Sequence, residues 1–130
     1  MKKPHILLLL QNFYYYGSSR KLHVPVYDTR IINRKNATYS RIVPYLEPHF
    51  ELYFGECTAS IANNHKTKFA TDLCWVKSAL DWCEWEHIIA FGAQAHKACD
   101  DLNRSVIKLP HPISFKWRKA LIQETVASLT

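Results

Sequence analysis

Five consecutive aliphatic residues, 6–10, form the most hydrophobic run of the chain. A strand with no polar face must be covered on both sides. That pattern belongs to the middle of a parallel sheet rather than to a half-solvated antiparallel one. Three shorter apolar runs of the same kind follow, at 50–54, 87–91 and 106–109, the first two stopped by Gly55 and Gly92 and the third by Pro110. Between them lie segments of helical period. One, at 73–82, is capped by Thr71 or Asp72 and sets Val76, Ala79 and Leu80 at helical spacing. A second, at 93–102, sets Ala95, Ala98, Cys99 and Leu102 on one face, and a third runs over 117–129. A short helix is expected from Thr38 or Ser40 through Leu46, with Pro44 tolerable only in its first turn. Residues 17–36 show no clear period. Alternating strands and helices predict an α/β fold: a three-layer sandwich with a central four-stranded parallel sheet and helices on both faces.

The chain has 130 residues, of which 48% are hydrophobic and 22% charged. That predicts a single domain over 1–130, large enough for a real core and outside the composition of disordered chains. Residues 6–10 are too few to span a bilayer and lack the apolar length and cleavage site of a signal peptide, so a cytoplasmic monomer is expected, with no membrane partner. Cys57, Cys74, Cys83 and Cys99 stand far apart without a C-x-x-C pair, which suits buried thiols rather than a metal or cluster; no metal and no cofactor are expected. With glycines only at 17, 55 and 92, neither a P-loop nor a dinucleotide fingerprint is possible. Trp75, Trp82 and Trp85 read as packing between helix and sheet.

Charge is segregated. Residues 1–41 carry eight Lys or Arg and one acid, 42–103 carry four and nine, and 104–130 carry five and one. A polyanion site built from the two basic ends accounts for this, provided the fold joins them. In parallel sheets, ligands bind beyond the carboxyl ends of the strands. Two strand ends carry unusual chemistry there: "QNFYYY", 11–16, and "PHPISFKWRK", 110–119. Both open onto the basic regions.

These two segments resemble the signature motifs of the uracil-DNA glycosylase superfamily. "LLQNFYY" is similar to the family's Gly-Gln-Asp-Pro-Tyr-His or Gly-x-Asn-Pro-Gly motif, and "HPISFKWR" to its His-Pro-Ser-Pro loop. "IIAFGAQAHKAC" looks like the family's third strand and following helix. The resemblance implies a DNA glycosylase that flips a base and hydrolyses its N-glycosidic bond, the base being uracil or a related modified or deaminated one. It places Asn12 at the water-positioning residue and His111 opposite the base carbonyl. Gln11, Phe13, Tyr14 and Tyr15 then form the base pocket. Ser114, Phe115, Lys116, Arg118 and Lys119 then contact DNA, with Phe115 near an apolar wedge. Leu10 stands where the motif has glycine, Phe13 where it has proline, and Ile113-Ser114 where it has Ser-Pro. No asparagine is clearly placed to read a pyrimidine edge; Asn63 and Asn64, after the second strand, are candidates.

The chemistry follows from the residue types. Base departure leaves negative charge on the base, which a hydrogen-bond donor such as His111 stabilises as it develops. Asn12 takes no proton at neutral pH, so its carbonyl can only orient a water. The plainer alternatives are that Asn12 caps a turn, His111 is structural and the tyrosines pack. Two other functions stay open: a catalytically weak or inactive module that binds modified or single-stranded DNA, and a nucleoside or nucleotide hydrolase.

Overall fold

The computed structural model describes residues 3–11, 23–60 and 69–130. At its centre β1 (His5–Leu10) pairs in parallel with β3 (Glu51–Glu56) on one side and β4 (His87–Phe91) on the other. Beyond β4 lies β5 (Ile107–Leu109), again parallel. A short β2 (Tyr27–Asp28) runs antiparallel along the outer edge of β3, so the order is β2-β3-β1-β4-β5. The described sheet therefore has five strands and is mixed, not four and all parallel. The extra strand is two residues long, too short to show a period, and is held by the Tyr27 ring stacked on Phe54 at 5.4 Å.

Both faces of β1 are covered, which is why its run is uninterrupted. Ile6, Leu8 and Leu10 face one layer, made by α1 (Ala37–Ser40), α2 (Val43–Leu46) and α5 (Lys119–Leu129). Leu7 and Leu9 face the other, made by α3 (Leu73–Leu80) and α4 (Ala93–Asp101). Residues 6–9 are wholly inaccessible, and burying one such side chain stabilises the fold by roughly 1.5–3 kcal/mol. Among the described residues no helix is long and apolar enough to cross a membrane.

Several boundaries differ from expectation for identifiable reasons. The helix expected up to residue 46 is two single turns: Pro44 has no N–H for the Ser40 carbonyl, so the chain breaks at Arg41 and Ile42 and restarts with Pro44 in the first turn of α2. The cap of α1 is Asn36, whose side chain accepts from the Thr38 N–H at 2.8 Å, rather than Thr38 or Ser40. Asp72 caps α3 as expected, accepting from Trp75 N–H at 3.1 Å. Gly55 does not stop β3. It lets α3 approach, since a Cβ there would lie 3.2 Å from that of Ala79. Of the tryptophans, Trp85 packs on Tyr53 and donates Nε1–H to the Ala79 carbonyl at 3.1 Å, Trp75 is half-buried, and Trp82 is 53% exposed because α3 ends before it. Cys57 and Cys99 are buried thiols, but Cys74 and Cys83 are exposed.

Candidate functional site

From β1 the chain crosses to β3 on one side, then returns over the sheet to β4 on the other. The carboxyl ends of β1 and β4 thus flank the point where strand order reverses, which is where open α/β sheets bind ligands. The last registered pair is Leu9 with Ala90, so two residues on stand Gln11 and Gly92. The Gln11 carbonyl accepts from Cys57 N–H at 3.0 Å, fixing the end of β1 to β3. Leu10, in the place of the motif glycine, buries its side chain in the core with Tyr27 and Phe54. Asn12, Phe13, Tyr14 and Tyr15 lie outside the described residues, as do Asn63 and Asn64.

His111 reaches the same edge from β5. That strand is not a neighbour of β1, because β4 stands between them, and the connection is made by Gly92. Gly92 has φ +91° and donates its N–H to the Leu109 carbonyl at 2.9 Å. A Cβ on it would stand 3.1 Å from that of His111. The glycine therefore serves both the turn into α4 and the close seat of His111 over the end of β4. His96 of α4 secures the same corner: its Nε2–H lies 2.9 Å from the Ala90 carbonyl and 2.8 Å from the Leu109 carbonyl, tying β4 to β5.

The His111 ring is half-buried, and burial pushes its pKa below the ordinary histidine value. Its Nδ1 accepts from the Ile113 N–H at 3.2 Å. The neutral ring must then carry its proton on Nε2, a tautomer inferred from this hydrogen bond. Nε2 has no partner among the described residues. The result is a neutral, oriented N–H donor at the carboxyl edge of the sheet.

Nothing in the motif reading singled out Glu56, yet it is the most unusual group here. It ends β3 in register with Leu10 and is fully buried. Tyr27 donates its hydroxyl to Glu56 Oε1 and lies 2.9 Å from the Tyr39 hydroxyl. Glu56 Oε2 has no hydrogen-bond partner among the described residues. Burial raises its pKa to about 8, so the carboxyl is neutral at pH 7. The available signal was an acid directly after the run "LYFG", 52–55, at the end of the strand. Beside it the Cys57 thiol donates to the Leu10 carbonyl at 3.2 Å, and burial pushes its pKa up, so it is not a nucleophile at neutral pH.

The described cations divide into two groups. Lys77 and Arg104 share Asp81, Lys97 pairs with Asp101, Lys108 with Asp100, Arg34 with Glu47 and Arg30 with Asp28. Besides Lys3 and Lys35, four cations have no acidic partner among the described residues: Arg41, Lys116, Arg118 and Lys119. All four lie on or beside one cleft of about 530 Å³, between the α1–α2 junction and the loop after β5. Ser40, Arg41 and Tyr45 form one wall, and Ile113, Ser114, Phe115, Trp117 and Lys119 the other. Arg41 donates to the Pro112 carbonyl at 2.6 Å and fixes the walls to each other. Serial turns hold the loop: Ser114 N–H to the His111 carbonyl and Trp117 N–H to the Ser114 carbonyl, both at 2.9 Å, and Arg118 to the carbonyls of Phe115 and Trp117, both at 2.8 Å. Of the described cations of residues 1–41, Arg41 alone lines this cleft, whereas Lys3 and Arg30 line another. A second cleft, of about 330 Å³, lies near Lys3, Arg30 and Glu47, where Arg30 pairs with Asp28 and Arg34 with Glu47.

No family model, curated protein or solved structure matches the chain. The geometry therefore carries the functional reading. It brings Gln11 and His111 to one sheet edge, and sets Ser114, Phe115, Lys116, Arg118 and Lys119 on the loop that follows His111. Such an edge can bind a planar hydrogen-bonding group, supply an N–H to an oxygen gaining charge, and hold phosphates nearby.

Proposed function

We propose that this protein is a DNA glycosylase of the uracil-DNA glycosylase type, acting on uracil or a related modified or deaminated base flipped from DNA. The observation that carries the proposal is the Ile113 N–H bond to His111 Nδ1, which leaves Nε2–H as a neutral donor beside the strand-order switch. In the proposed reaction a water oriented by Asn12 adds to the sugar carbon as the N-glycosidic bond breaks. The base leaves with the bonding electron pair, its oxygen charge held by His111 Nε2–H, and takes up a proton. A neutral donor suits this role, because it stabilises charge without first having to lose or gain a proton. Asn12 supplies orientation only, so catalysis is slower than with a carboxylate in its place. The four cations without acidic partners on or beside this cleft and the exposed Phe115 support DNA as the partner.

The test is incubation with oligonucleotides carrying uracil, hydroxymethyluracil or hypoxanthine, followed by alkali. Strand breaks at the modified position support the proposal. Tight DNA binding without release of any of these bases transfers the reading to the recognition module, which the same loop would serve.

A further inference from the structure

We infer that the cleft between the α1–α2 junction and the loop after His111 holds one nucleotide of single-stranded DNA, its base against Phe115 and its phosphates between Arg41 and Lys119. The inference rests on the nucleic-acid reading above and adds the form of the strand.

Three observations carry it. First, Arg41 and Lys119 line this cleft without an acidic partner among the described residues, whereas most other described cations are neutralised by neighbouring acids. Second, Phe115 is 85% exposed and Ile113 is 52% exposed on a loop that turn hydrogen bonds hold in shape. A ring presented in full on a fixed loop offers its face for stacking, and nucleobases stack on such a face whatever their sequence. Third, the cleft is an open groove whose two walls are fixed to each other. At about 530 Å³ it falls in the range of small-ligand sites, and its walls are tied by Arg41 to the Pro112 carbonyl at 2.6 Å. In a duplex each base face is covered by its neighbours, so only an unpaired, unstacked base can present its face to Phe115. Cations beside aromatic rings are the combination that tracks single strands; here Lys119 Nζ sits 5.9 Å above the Tyr45 ring.

The test uses the full chain and a fluorescein-labelled twelve-nucleotide oligothymidylate, alone or annealed to its complement, with affinity read by anisotropy over a salt series. The wild type should bind the single strand about tenfold or more tighter than the duplex. Phe115→Ala should weaken single-strand binding by about 5- to 100-fold without changing the salt slope, since stacking releases no counterions. Phe115 is 85% exposed, so its replacement spares the core, and an unchanged circular dichroism spectrum documents this. Lys119→Gln should lower the salt slope by about 0.7, the value for one phosphate on a single strand. Equal affinity for duplex and single strand, or a Phe115→Ala variant that binds as tightly as wild type, overturns the inference. If neither form binds, the inference and the nucleic-acid reading fall together. If the single strand binds through Phe115 but no base is ever released, only the enzymatic reading fails, and the cleft assignment stands.

Discussion

Replacing Glu56 with glutamine should make the protein more stable at neutral pH and remove most of a pH dependence that the wild type shows. The buried carboxyl titrates at about 8 in the fold against an ordinary value of 4.5. The fold therefore holds that proton more tightly than the unfolded chain does, by about 5 kcal/mol. The sign follows directly. Below pH 4.5 both states are protonated, and the group imposes no penalty. Between 4.5 and 8 the unfolded chain loses the proton while the fold keeps it, so stability falls as pH rises. Above 8 both are ionised and the loss is complete. At pH 7 about 3 kcal/mol has already gone, a large part of the stability of a domain this size. Glutamine is neutral throughout and still accepts from the Tyr27 hydroxyl, so Glu56→Gln should gain up to about 3 kcal/mol at pH 7 and nothing near pH 4. Urea unfolding followed by tryptophan fluorescence at several pH values gives both curves, and their difference isolates this residue. Wild-type and variant curves that stay parallel from pH 4.5 to 8 would refute the reasoning, because Glu56 would then have to titrate alike in the folded and unfolded chain.

Gly92→Ala meets two obstacles at once, a φ of +91° and the Cβ of His111 at 3.1 Å. It should cost about 1–3 kcal/mol in thermal unfolding and reduce base release further than that loss of folded protein explains. His111→Ala should slow base release by about 10²-fold while leaving DNA affinity nearly unchanged, since it removes one donor to a developing anion. Because burial holds the His111 pKa below 6.5, the wild-type rate should not fall until the pH drops below that value. A rate that already declines above pH 6.5 would show that an ordinary, solvated histidine is responsible.

What could be read from the residues depended on how local each cause was. The identity of β1 as a central strand was legible, because burial on both faces writes itself as five adjacent aliphatic residues. The helix faces of α3 and α4 were legible for the same reason, through their spacing. β2 was not, since Tyr27–Asp28 owes its place to a strand partner at Tyr53 and Phe54, far along the chain. Nor was the Glu56 cluster, which joins side chains 29 and 12 residues apart in sequence. His111 was identifiable as a His-Pro after a strand, but its tautomer depends on a backbone N–H two residues on, and its seat on the absence of a side chain at Gly92. The cleft wall formed by Ser40 and Tyr45 left no trace in any pattern, because the break at Arg41 and Ile42 between α1 and α2 was expected to be continuous helix.

The chemistry proposed for the edge holding Gln11 and His111 is hydrolysis of an N-glycosidic bond by a water that Asn12 orients. Its most direct test is a single-turnover measurement of base release from a uracil-containing oligonucleotide, with wild type and Asn12→Ala compared at matched DNA occupancy. The wild type should release the base, the variant should release none above background, and the two should bind DNA equally, because Asn12 acts on the water and the developing sugar cation rather than on the bound strand. Equal rates for the two proteins, or no release by a wild type that binds the oligonucleotide tightly, would contradict it.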